Sequence, residues 1–71
     1  MKINIEYLKK YIKEKFHDNQ TYFANEIKVD KSYLNQLING KKSNSSAVFV
    51  NRIIEYCKKN NLNENDFIIL E

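Results

Sequence analysis

The chain contains no proline and one glycine, Gly40, while its apolar residues recur three and four positions apart. So few breakers let long stretches stay helical, and that spacing gives each stretch one apolar face. The sequence therefore predicts an all-α fold, a compact domain of four to five helices with short connections. Seventy-one residues form one domain, 1–71, near the size at which a single core supplies only about 3 to 5 kcal/mol. With 42% hydrophobic and 30% charged residues, the composition is that of a folded chain rather than a disordered or membrane-embedded one.

In the first segment Ile5, Leu8, Ile12 and Phe16 form one stripe with Tyr11 beside it; Asn4 is placed as an N-cap and Ile3 to staple onto Leu8. "HDN" breaks this pattern, and Asn19 then caps a short helix, Gln20 to Ile27, that buries Phe23, Ala24 and Ile27. Asp30 is expected to cap the next, Lys31 to Asn39, which buries Leu34, Leu37 and Ile38 and ends at Gly40 in the C′ position. "KKSNSS" reads as a loop, with Ser45 or Ser46 capping a fourth helix that runs to about Lys59. Val50, Ile53, Ile54 and Cys57 form its inner stripe, flanked by Phe49 and Tyr56. The tail has two readings: Asn63 could cap a fifth helix, or "DFIIL" could form a strand.

Net charge is +3 with a pI near 9.0, the balance of a chain suited to a polyanionic partner. Lysine, asparagine and isoleucine all have A/T-rich codons, so the total is less informative than its placement. Between Lys28 and Arg52 five basic residues face Asp30 alone, whereas Asn60 to Glu71 holds three acids and no base. The cationic part of the chain is thus its middle.

No catalytic arrangement stands out. His17 is solitary, Cys57 lies on an apolar stripe, no serine has a matching histidine and acid, and there is no glycine-rich phosphate loop. The expectation is a non-enzyme with no cofactor and no metal. Lys or Glu every few residues interrupts the N-terminal segment, and one cysteine permits no internal disulfide, so a cytoplasmic location away from any membrane is expected.

Counting Gln20 as position one, apolar or small residues occupy positions four, five, eight, ten, fifteen and eighteen: Phe23, Ala24, Ile27, Val29, Leu34 and Leu37. Two helices crossing steeply over a three-residue turn need this set. Ala24 is small where the backbones meet, and Val29 plugs the turn. With Gln20 at its start and "NGK" at 39–41, this 20–41 stretch resembles the helix-turn-helix of phage repressor and Cro-type (XRE-like) DNA-binding proteins. One helix before the motif and one or two after extend the likeness over most of the chain. Position nine departs from the family, which usually has a left-handed glycine there; Lys28 in its place costs on the order of 1 kcal/mol.

With Leu34, Leu37 and Ile38 inward, Ser32, Gln36 and Asn39 point most directly outward, Asn35 and Tyr33 lie at the sides, and Lys31 occupies the first turn. Amides, hydroxyls and lysine suit base edges. Tyr33 has two readings, packing beside Tyr22 or touching a thymine methyl or phosphate. The resemblance implies that the helix 31–39 enters the major groove of double-stranded DNA. Its candidate base-reading residues are Gln20, Lys31, Ser32, Tyr33, Asn35 and Gln36. Its candidate phosphate contacts are Thr21, Asn39, Lys41 and Lys42, with Gln20 also near the backbone at a helix N-terminus.

The function expected is a sequence-specific transcriptional regulator, a phage-type or plasmid-type repressor that binds a palindromic operator as a homodimer. Phe67, Ile68, Ile69 and Leu70 are the expected dimer surface. The alternative is an antitoxin-like or phage accessory interaction module built on the same scaffold. RNA binding is disfavoured because the aromatic residues fall mostly on inward stripes and leave no stacking platform.

Overall fold

Alternating apolar stripes and capping residues produce four helices and a two-stranded sheet in the computed structural model, which describes residues 1–43 and 46–70. The order is β1 (Lys2–Ile3), α1 (Ile5–Phe16), α2 (Gln20–Ile27), α3 (Lys31–Ile38), α4 (Ala47–Lys59), a 3₁₀ turn (Glu64–Asp66) and β2 (Ile68–Ile69). Asn4 and Asn19 cap as expected, their side chains accepting from the N–H groups of Tyr7 at 3.2 Å and Tyr22 at 3.0 Å. Ser46 caps α4 by accepting from Phe49 at 3.5 Å, while the other candidate cap, Ser45, lies outside the described residues. Asp30 departs from expectation. It holds the N-cap backbone position but makes no side-chain cap bond, and its exposed carboxylate stays in solvent.

Three helices end by the same device. After α2, the N–H of Lys28 bonds Asn25 at 3.3 Å and that of Val29 bonds Ala24 at 3.0 Å; after α3, Gly40 bonds Leu37 at 3.1 Å and Lys41 bonds Gln36 at 2.8 Å. After α4, Leu62 reaches back to Cys57 at 2.8 Å. These are Schellman closures, which require a left-handed residue at C′. Lys28 (φ 60°), Gly40 (φ 78°) and Asn61 (φ 57°) supply it. Lys28 therefore adopts a left-handed conformation that glycine takes without cost, and it carries the associated strain. Lys28→Gly is expected to stabilise the fold by about 0.5 to 1 kcal/mol, read as a raised midpoint in urea with an unchanged slope.

The tail resolves into a strand rather than a fifth helix. Asn63 caps only the 3₁₀ turn, accepting from Asn65 N–H at 3.0 Å, and β2 then pairs antiparallel with β1, Lys2 opposite Ile69 and Ile3 opposite Ile68. The Asn4 N–H donates to the Phe67 carbonyl at 2.8 Å and extends the pairing to the start of α1. Ile3, expected to staple onto Leu8, is a fully buried residue of β1 in the same core cluster as Leu8.

One core collects Ile3, Leu8, Ile12, Phe23, Ala24, Ile27, Leu34, Leu37, Ile38, Phe49, Val50, Ile53, Tyr56, Cys57, Phe67 and Ile68. An aromatic cluster binds α1 to the rest: Phe67 meets Tyr7 and Tyr11 edge to face at 4.9 and 5.1 Å, and Phe23 meets Tyr56 at 5.4 Å. Tyr11 and Tyr56 share a hydroxyl hydrogen bond of 3.0 Å across the cluster. Burial, with Glu64 and Asp66 nearby, raises the Cys57 thiol to about 11, so it stays protonated and packs as a small apolar residue. Among the described residues no helix is long and apolar enough to cross a membrane, and no group of three or more His, Cys, Asp or Glu could hold a metal.

The expected dimer surface needs correction. Phe67 is 1% and Ile68 8% exposed, so both side chains belong to the chain's own core. Only Ile69, at 38%, and Leu70, at 70%, remain available on the tail.

Candidate nucleic-acid interface

The candidate interface rests on the α2 and α3 pair. Phe23, Ala24 and Ile27 of α2 and Leu34, Leu37 and Ile38 of α3 are all buried, and half-buried Val29 packs against the same core from the turn. With those residues inward, α3 cannot rotate about its axis without exposing apolar surface. Its opposite face is fixed as a consequence.

Lys31, Asn35 and Asn39 follow one another four residues apart, and Ser32 and Gln36 form a parallel row, so the five make one polar stripe along α3. Lys31, Ser32, Asn35 and Asn39 are exposed and Gln36 is half-buried. Thr21 is exposed on the first turn of α2, with half-buried Gln20 beside it. Lys41 and Lys42 follow the Schellman closure of α3 and are both exposed. Among the described residues none of Lys31, Lys41 and Lys42 is paired with a carboxylate, so their charge is free to act on a partner. The nearest acid in sequence is Asp30.

Tyr33 does not pack beside Tyr22. Its ring packs on Phe49 of α4 at 5.8 Å, whereas Tyr22 packs on Phe16 of α1 at 5.5 Å. At the start of α2, Asn19 already accepts the Tyr22 N–H, so one of the amides that an anion would use there is occupied within the chain.

Sequence reasoning missed one connection. The Asn35 side chain donates from Nδ2 to Gln20 Oε1 at 3.3 Å and accepts from Asn39 Nδ2 at 3.1 Å. Gln20, Asn35 and Asn39 thus form a directed chain of three amides across the two helices. The signal was present only as a geometric coincidence, since the first residue of α2 and the middle of α3 meet at the helix crossing.

What this surface can do chemically is recognise a polar, anionic ligand by hydrogen bonds and charge. It offers hydroxyl, amide and ammonium groups on a rigid helix, with lysines at both ends. Comparison with known proteins adds no assignment: no family model, no curated protein and no solved structure matches the chain.

Proposed function

We propose that this protein is a sequence-specific double-stranded DNA-binding regulator that lays α3 in the major groove and acts as a repressor of the phage or plasmid type. The observation that carries this reading is the polar stripe of α3, with free lysines at its two ends, held on a helix pair whose buried face fixes its orientation. An α-helix fits the major groove, and Lys31, Ser32 and Gln36 on its leading turns offer groups that pair with base edges. Lys41 and Lys42, just past the helix, suit the flanking phosphates.

A surface this small makes few contacts, so useful affinity calls for two copies on a two-fold site. The Cα envelope measures 28 × 27 × 19 Å. Two such bodies side by side, with their side chains, span a centre separation near the ~34 Å of one duplex turn.

Fluorescence-anisotropy titration of the protein and its Lys42→Ala variant into duplexes at several salt concentrations tests the reading. The parent is expected to bind with a steep salt dependence. Lys42→Ala should weaken binding to every duplex alike and reduce the salt slope by roughly 1. Absence of salt-dependent binding to any duplex contradicts the proposal.

Leu70, Ile69 and the modest net charge of +3 favour a second reading, an antitoxin-like or phage accessory module that engages a protein through the exposed end of its tail. A complex with a protein partner that persists at high salt and without DNA would support that reading over the first.

A further inference from the structure

Asn35 is exposed on the polar stripe of α3, where its amide has the chemistry to read an adenine, but its Nδ2 and its Oδ1 each make one hydrogen bond within the protein. A bidentate base contact uses one amide donor and one acceptor together. Here one Nδ2 hydrogen is given to Gln20 and Oδ1 accepts from Asn39, so the orientation of the amide is set by its neighbours in the protein rather than by a base. We propose that Asn35 is a positioning residue, which fixes the side chains of Gln20 and Asn39 for a backbone phosphate through the chain Asn39 Nδ2 to Asn35 Oδ1 and Asn35 Nδ2 to Gln20 Oε1. The proposal rests on the DNA-binding reading above.

The direction of the chain decides what each end presents. Gln20 has its carbonyl oxygen committed to Asn35, so its Nε2 amide keeps both hydrogens for an acceptor, and a phosphate oxygen is such an acceptor. Asn39 spends one Nδ2 hydrogen on Asn35 and retains the other. Two donors, one at the start of α2 and one at the end of α3, therefore have their orientation set before any ligand arrives. Reversing either amide would place oxygen against oxygen or NH₂ against NH₂, so the central residue sets both ends together.

Because Asn35, Gln20 and Asn39 carry no charge, removing the chain releases no counterions. This separates its effect from that of a lysine contact. The test is a mutant cycle read by anisotropy on a selected duplex and on an unrelated one. Asn35→Ala alone is expected to weaken binding to both by about 3- to 10-fold, the loss of one oriented hydrogen bond or two, with the salt slope and the preference between duplexes unchanged. In a Gln20→Ala/Asn39→Ala background, adding Asn35→Ala should change affinity less than twofold. A changed base preference, a full cost retained in that background, or no cost in the parent would each overturn the proposal. Asn35 is exposed and outside the core, and an unaltered melting midpoint in Asn35→Ala confirms that the fold is intact. A parent protein that binds no duplex removes the DNA-binding reading and the proposal with it, whereas a parent that binds while Asn35→Ala behaves like the parent removes the proposal alone.

Discussion

Phe67→Ala is expected to abolish the cooperative fold at room temperature. Phe67 is 1% exposed and fills the space between Tyr7 and Tyr11, with ring centroids 4.9 and 5.1 Å away in edge-to-face contact. Removing a buried phenylalanine costs about 3 to 5 kcal/mol, through lost transfer energy and the cavity left behind. A chain of this length has a total stability of about the same size. The loss therefore falls on a protein with no reserve, and circular dichroism should show a broad, non-cooperative thermal transition. Leu70→Ala, three residues on but 70% exposed, should shift stability by less than about 0.5 kcal/mol. This pair of variants also discriminates between two roles for the tail. Were Phe67 a contact between copies, its replacement would leave a folded monomer and change only the oligomeric state.

Gln36→Ala is the functional counterpart. Gln36 lies on the same row as Ser32, one turn further along α3, and its carbonyl group in the backbone accepts the Lys41 N–H that closes the helix. Substituting the side chain leaves that closure in place because the bond uses main-chain atoms. On the proposed docking, its amide meets one base pair, where a bidentate contact contributes about 1 to 3 kcal/mol of discrimination. The variant should lose roughly 5- to 150-fold of its preference at one or two adjacent positions while its affinity for unrelated duplexes is unchanged. Binding measured across single-base-pair variants of the selected site checks this. Equal weakening on every sequence would assign Gln36 to the backbone instead.

The helical part of the fold is legible because local rules determine it. Asn19 and Gln20–Ile27 could be placed from a capping residue and a 3.6-residue apolar period, and α2 has those bounds. The left-handed conformation of Lys28 is implied only by the resemblance of the turn, since lysine itself gives no local signal for it. The tail was ambiguous for a physical reason. "DFIIL" becomes a strand only because Lys2 and Ile3, more than sixty positions earlier, lie beside it, and a two-residue pairing leaves no periodicity to detect. Phe67 and Ile68 lie in the core, so half of an apolar run that suggested a partner surface is buried within the chain.

For the candidate site, the inward positions of α3 left Lys31, Ser32 and Asn39 exposed as expected, whereas Gln36, expected to point outward, is half-buried and Asn35, expected at the side, is exposed. The partners of individual side chains did not follow. Asp30 forms no side-chain cap, Tyr33 leans on Phe49, and Asn35 is held by Gln20 and Asn39. Each of these depends on where a neighbouring helix crosses, which spacing within one helix does not specify.

The reading of DNA by α3 is tested most directly by selecting bound duplexes from a random pool with the full chain. The account predicts enrichment of a palindromic consensus whose half-sites lie about one helical turn, ~10 base pairs, apart. A pool that emerges without any enriched sequence, or with the protein retaining no duplex, would contradict it.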